Sequence, residues 1–313
     1  MAIIYTIILE NRNPVRTLAW ILVLVLAPGV GLFFYIYFGM NYRKIKMFSM
    51  KGLGDFKWLQ YMSEDQKQRI KKAELLKKED MEAVKPLMTL LLNNSKALLS
   101  RNNTIEILNN GEATFSSIFK AIAKAKKYIH LEYYIIDKGE LGEKLKELLI
   151  AKAKEGVEVR VIYDDVGSWK LPKRYIKEMQ AADSNLPVSS RAFPLFTNKV
   201  NYRNHRKIVV VDGDTGFIGG LNFADRYLHG LPGIGIWRDT HLKVKGEAVT
   251  SLQVVFLFDW YFVRQELLLN KAEYLPNKKV DGNVVVQTVA SGPDSDWTSI
   301  QQAYFTLINM AKK

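Results

Sequence analysis

The stretch Asn204–Asn222, NHRKIVVVDGDTGFIGGLN, opens on a His205/Lys207 pair, runs through four apolar residues, turns at DGDT and returns to GGLN. A strand that only packs has no need of cation-capable side chains at its mouth. Residues two apart on a strand share a face, so His205, Lys207, Val209 and Val211 point one way. DGDT (Asp212–Thr215) is a strong hairpin turn. A symmetric turn centred between Gly213 and Asp214 predicts that Lys207 faces Gly220 and His205 faces Asn222. A register shifted by one residue breaks that convergence.

Each residue type has a chemical use there. An imidazole can attack phosphorus and split one displacement into two. The Lys207 ammonium and the Asn222 amide can donate to non-bridging oxygens as charge builds on them. Gly219 and Gly220 carry no side chain, so a bulky phosphodiester can approach the backbone. Asp212 has the opposite strand parity and sits in the turn, which suits it to holding the loop by local hydrogen bonds. The pattern reads as a phosphate site.

The rest of the chain bounds what kind of phosphate is served. Its 313 residues allow one large domain or two modest ones, and a 48% hydrophobic content is enough for a sizeable core. A formal net charge of +13 favours anionic partners: nucleic acid, phospholipid headgroups or phosphorylated substrates. With no Cys, disulfides, thiolate metal sites and a Cys nucleophile are excluded.

The run Thr17–Gly39, TLAWILVLVLAPGVGLFFYIYFG, holds no charged residue and is long enough to cross a bilayer. Trp20, Tyr35 and Tyr37 sit near its ends, where interfacial aromatics belong. Pro28-Gly29 predicts a kink, and no small-residue cleavage site follows. Arg43, Lys44, Lys46, Lys51 and Lys57 trail the run, which places the bulk of the chain in the cytoplasm. Residues 1–48 therefore read as a membrane anchor spanning at about 17–39. Ala2–Leu9 is apolar but too short to span; it reads as the tail of a longer helix joined by the loop ENRNPVR.

Residues 49–104 read as a helical connector, amphipathic and broken at Pro86, whose lysines either meet anionic lipid or stay solvated. From Ile105 strands and helices alternate: TIEIL, a helix to Lys127, YIHLEYYII, a helix to Gly156, and VEVRVIYDD. This order predicts an α/β fold, a mixed sheet flanked by helices, over 105–279. Asp164 and Asp165 stand at a strand's carboxyl end, where sites form in such sheets; no His clusters beside them, so a turn-anchoring role is expected.

An internal repeat links NGEATFSSIFKAIAKAKK to SGPDSDWTSIQQAYFTLINMAKK, aligning Ile122 with Ile308 and Lys127 with Lys313. Residues 280–313 then read as the start of a second, incomplete repeat.

The constellation His205-x-Lys207-x4-Asp212-x6-Gly219-Gly220-x-Asn222 resembles the HKD signature of the phospholipase D superfamily. Around it, RNPVRTLAWILVLVLAPGVGLFFYIYFG, IHLEYYII, VRVIYDDVGS, YRNHRKIVVVDG, WRDTHLKVKGEAV and ASGPDSDW are similar to successive landmarks of bacterial cardiolipin synthases, from about Asn11 onward. The resemblance implies a phospholipase D-like sandwich, catalytic residues His205, Lys207 and Asp212, and substrate contacts from Gly219, Gly220 and Asn222. It implies transfer of a phosphatidyl group between two phosphatidylglycerol molecules through a phosphohistidine, with no cofactor and no metal. Glu132 and His241 lie in matching segments, where packing or support of the site is expected. Anionic membrane lipid is the expected partner and the bacterial cell membrane the expected location. Family members carry two such motifs and this sequence carries one, so His205 is either nucleophile or general acid, and a homodimer could combine single motifs.

Three other readings stand beside this one. A phospholipase D-type hydrolase would use water as acceptor. A nuclease would explain the charge, but the apolar run argues against nucleic acid, as does the lack of a basic, aromatic-studded stretch. An inactive half would only bind anionic lipid.

Overall fold

The computed structural model describes residues 14–39, 83–182, 187–191, 203–269, 271–275, 280–292 and 297–311, together with residues 4, 5, 7, 64–66, 68 and 295. Two compact units are present: Leu99–Ala192 with Arg203–Thr288 forms the α/β unit, and the second gathers Met1–Leu98, Phe193–Tyr202 and Val289–Lys313.

The α/β unit is built on β1 (Leu99–Asn109), α4 (Asn110–Ala123), β2 (Tyr128–Tyr133), α5 (Glu140–Lys154), β3 (Glu158–Asp164), α6 (Lys173–Ala182), β4 (Val188–Arg191), β5 (Lys207–Val211), β6 (Thr215–Gly219), α7 (Arg226–His229), β7 (Thr240–Gly246), α8 (Ala248–Arg264) and β8 (Val284–Gln287). All eight strands form one sheet in the order β4-β3-β2-β5-β6-β7-β1-β8. Strands β2, β3 and β4 are parallel neighbours, and every other pairing is antiparallel. The mixed α/β sandwich expected from the element order is the observed architecture. Strand β1 starts earlier than expected, at Leu99 rather than Ile105, and β8, expected to open a second repeat, is the edge strand of this same sheet.

Alternation along the central strands gives the sheet two buried faces, as period-two geometry requires. Ile129, Leu131, Val159, Val161, Val209 and Val211 pack under Phe115, Ile118 and Ile122 of α4 and Leu141, Leu145 and Leu149 of α5. Ile162, Ile208 and Val210 face the other way, against Val249, Leu252, Phe256 and Trp260 of α8. Helix α8 is buried along most of its length, which explains its near-continuous apolar sequence.

The β5–β6 hairpin corrects the expected register. Val211 pairs with Thr215 and Ile208 with Ile218, so the loop is the three residues Asp212–Asp214 and every partner moves by one. The expected Lys207–Gly220 and His205–Asn222 pairs are not formed. The cause is long-range: the Asp212 carboxylate accepts backbone N–H bonds from Lys126, Lys127 and Tyr128 at 2.7–2.9 Å. That fastening holds Asp212 at φ 52°, with Gly213 following at φ 64°.

The second unit corrects the expected membrane span. Among the described residues no helix is long and apolar enough to cross a membrane. The uncharged run instead forms α1 (Pro14–Leu26), α2 (Pro28–Phe34) and a π-helical turn at Tyr35–Gly39. Ala27 is out of the helical region at φ −141°, ψ 73°. Pro28 has no N–H to continue the ladder and its ring crowds the carbonyl one turn back, so the chain doubles back there. A Cβ on Gly31 would lie 2.7 Å from the Val23 carbonyl oxygen, and the Trp20 and Tyr35 rings meet at 5.5 Å. Ile7 packs with Leu24 and Tyr35. Of the expected connector, residues 49–63, 67 and 69–82 lie outside the described residues; α3 (Lys85–Ser95) carries Pro86 in its first turn instead of breaking there, since proline suits the first helical turn. Asn94 of α3 donates to Gln302 of α9 (Ser299–Met310) at 2.8 Å.

Replacing Asp212 by Ala removes three charge-assisted hydrogen bonds. It is expected to cost about 2–4 kcal/mol in denaturant unfolding, with Asp212→Asn falling between it and the parent.

Candidate active site

The carboxyl ends of the parallel strands β2 and β3 meet the start of β5, where Tyr133 pairs with Lys207. Lys207 is buried on the same face as Val209 and Val211. Its ammonium donates to the His205 carbonyl at 2.7 Å, lies 3.1 Å from His205 Nδ1, and stands 5.4 Å from the centre of the Tyr134 ring. His205 is exposed, its ring 4.6 Å from that of Tyr134. Burial pushes the Lys207 pKa down to about 8, with Asp239 opposing the shift. Partial burial and then the Lys207 charge hold His205 below its ordinary value, against a smaller opposing pull from Asp164. The pair is thus a neutral imidazole beside a cation at neutral pH.

A polar network fixes the backbone that carries this pair. Asn204 is buried; its backbone N–H donates to Asp164 at 3.0 Å, its amide nitrogen donates to Glu132, and its amide oxygen accepts from the Arg206 N–H at 3.1 Å. The other Asp164 carboxylate oxygen accepts from Val166 and Gly167 at 3.0 and 2.9 Å. Arg206 points to the α8 face and pairs with the buried Asp259. Burial, with the neighbouring Asp259 carboxylate, raises the Glu132 carboxyl well above the usual range. The upward shift favours the neutral form of Glu132 beside the Arg206–Asp259 ion pair. Asp164, Glu132 and Asp259 come from three different elements and meet at one short segment.

Strands β6 and β7 supply the other wall. Gly219 pairs with His241, and a Cβ on Gly219 would lie 2.2 Å from His241 Nδ1. A Cβ on Gly220 would lie 2.4 Å from the Asp239 carboxylate. These two glycines are needed for close approach by protein side chains, quite apart from any ligand. His241 is fully buried, and burial, then the Lys207 charge, lowers its pKa to about 4. Asn222 is buried too; its amide oxygen accepts from the Ile135 N–H at 3.1 Å and its nitrogen donates to Tyr227 Oη at 3.0 Å.

Of the residues singled out in the sequence, His205 and Lys207 touch, and Gly219 and Gly220 line the adjacent strand end. Asn222 holds the neighbouring segment 134–137 through Ile135. Asp212 lies at the far end of β5, roughly 17 Å away at strand rise. Asn204, Tyr134, Asp239 and the Arg206–Asp259 pair were not singled out. The polar bracket around His205 in RNHRK was a usable signal for the first and last; nothing local marks Tyr134.

Comparison with known proteins adds an independent observation. Residues 118–249 match the family model described as cardiolipin synthase, PLD-like domain, and residues 1–39 match the phospholipase D-nuclease N-terminal model. The chain is 44% identical over 314 residues to a cardiolipin synthase of a Geobacillus species, covering 99% of this chain and 61% of that protein. It is 45% identical over 313 residues to cardiolipin synthase 2 of Bacillus cereus, covering 98% and 59%. The chain thus spans about three fifths of the length of these relatives. Among solved structures it is similar to phosphatidylserine synthase of Haemophilus influenzae, with 22% identity, a TM-score of 0.42, and coverage of 59% of this chain and 41% of that one.

The upward shift of the Glu132 carboxyl is testable. Glu132→Gln keeps a neutral side chain and the acceptor for Asn204, and is expected to stay within about 1 kcal/mol of the parent in denaturant unfolding. Asp259→Asn leaves Arg206 without its charge partner and is expected to cost about 3–5 kcal/mol.

Proposed function

We propose that the chain is a cardiolipin synthase-type member of the phospholipase D superfamily and that it transfers a phosphatidyl group from one phosphatidylglycerol to another, giving cardiolipin and glycerol. The observation that carries this reading is the exposed, neutral His205 held 3.1 Å from the buried Lys207 ammonium.

A ring nitrogen of His205 attacks the phosphorus of the first lipid. The bond to the glycerol oxygen breaks, glycerol leaves with a proton, and a phosphatidyl-histidine remains. The primary hydroxyl of the second phosphatidylglycerol then attacks phosphorus, the P–N bond breaks, and the hydroxyl proton goes to the acid–base partner. Lys207 donates to the non-bridging oxygens and stabilises their charge in both steps. Gly219 and Gly220 leave the backbone open beside the phosphate, and Asn222 and Asp212 act by holding the segments around it. The proton given to glycerol comes from a second such motif, which a second copy of the chain would bring.

The same reading puts the chain at the bacterial cell membrane with the α/β unit on the cytoplasmic side. Its support is the apolar hairpin α1–α2, whose Leu18, Leu22, Val25, Leu26 and Val30 are exposed, and the lysines that follow Gly39 in the sequence.

The test is the purified chain in phosphatidylglycerol vesicles, with lipids followed by mass spectrometry. Cardiolipin and glycerol, both lost in His205→Ala, are expected. Phosphatidic acid instead would replace transfer by hydrolysis, and no product would leave a half that only binds lipid. The pH profile of kcat/KM is a second check. His205 titrates below its ordinary 6.5, so the acid limb falls below that value. Lys207 loses its proton near pH 8, which sets the alkaline limb, and Lys207→Arg is expected to move that limb upward.

A further inference from the structure

Two loops flank the His205/Lys207 end of the sheet, one following β3 and the other joining α7 to β7. Both are braced against the paired segments 134–137 and 222–225. Ser168 Oγ accepts from the Ile136 N–H at 2.9 Å and donates to the Tyr134 carbonyl at 3.3 Å. Gly167 lies so close to Tyr134 that a Cβ would sit 2.2 Å from its carbonyl oxygen. In the second loop Leu231 and Gly235 exchange backbone hydrogen bonds at 3.1 and 2.9 Å. Trp237 packs on Tyr227 at 5.4 Å, and Tyr227 is held by Asn222.

These rigidly braced loops nonetheless turn large apolar side chains to solvent. Trp169 is 75% exposed, Ile234 69% and Ile236 70%. Their charge leans basic. The stretch 165–178 carries Lys170, Lys173, Arg174 and Lys177 against Asp165 and Glu178, the latter paired with Arg174, and 230–239 carries Arg238 against Asp239. Lys170 Nζ stands 5.5 Å from the Trp169 ring. Exposed indole and isoleucine within a basic rim match the two halves of a lipid–water interface, apolar acyl boundary and anionic headgroup.

The geometry points to this rim as a docking surface for an anionic bilayer, so that the site meets lipid directly at the membrane face. Trp169, Ile234 and Ile236 enter the acyl boundary, and Lys170, Lys173 and Arg238 meet the headgroups. The inference rests on the phosphatidyl-transfer reading for its substrate and adds the route by which that substrate arrives. It concerns the α/β unit alone and is distinct from the apolar hairpin of the other unit.

The experiment uses the whole chain, phosphatidylglycerol vesicles with bromine-labelled acyl chains, and the variants Trp169→Phe and Trp169→Ala/Ile234→Ser/Ile236→Ser. In lipid-free solution Trp169 is expected to be quenched by iodide; shielding there would mean that protein covers this face and would overturn the proposal. On vesicles the brominated lipid is expected to quench tryptophan emission, and Trp169→Phe to remove a distinct part of that quenching. An unchanged quenched fraction in Trp169→Phe overturns the docking. The triple variant is expected to lose at least about tenfold in kcat/KM on vesicles, while keeping parental turnover of short-chain phosphatidylglycerol dispersed below its micelle concentration. Equal losses on both substrates overturn the docking in favour of a disturbed site. A parent inactive on both substrates overturns the transferase reading alone, because the quenching result still decides the docking.

Discussion

Asn204 is buried with its backbone N–H on Asp164, its amide nitrogen on Glu132 and its amide oxygen on the Arg206 N–H, and this fastening sets where β5 begins. Asp164 belongs to β3 and Glu132 to β2, and Arg206 directly precedes β5, so one residue ties together the strand ends that carry the site. Because the tie is made of buried polar groups, any displacement leaves one of them unsatisfied, and that penalty holds His205 in place more firmly than an exposed loop residue would otherwise be held. The raised Glu132 carboxyl shares this space with the Arg206–Asp259 ion pair.

The same economy shapes the cation. Lys207 is nearly solvent-free, and burial lowers its pKa; Asp239 opposes this, leaving the pKa at about 8. Desolvation makes its charge more effective on a phosphate oxygen than an exposed lysine's would be. It also depresses the two imidazoles in its field, His205 and His241. Gly219 and Gly220 make the arrangement possible, since a methyl group on either would collide with His241 or Asp239. The paired glycines therefore serve the protein's own packing as much as the approach of a phosphodiester.

Away from this centre the chain spends apolar surface in two different ways. The core of the α/β unit buries it on both faces of one sheet, while the α1–α2 hairpin and the rim loops leave it outward. Exposed leucine, isoleucine and tryptophan are costly in water and favourable at a lipid interface. Combined with a net charge of +13, that distribution is what supports the proposed encounter with anionic lipid.

Periodicity and residue spacing were enough to identify the α/β order and the elements from β1 to β3, and to single out the His205/Lys207 pair, because these depend on neighbours within a turn or a hairpin. A phosphate site is the reading that the residue types of this pair support. Three things were decided only by tertiary contacts. The β5–β6 register differs by one residue because Asp212 is captured by N–H groups some 85 residues earlier in the chain. The uncharged run is long enough to span, yet it doubles back at Ala27–Pro28, where Trp20 meets Tyr35. Asn204, Glu132 and Asp259 look like ordinary polar residues along the sequence. Their roles come from burial beside one another, and the upward shift of the Glu132 carboxyl follows from surroundings that only the folded chain supplies.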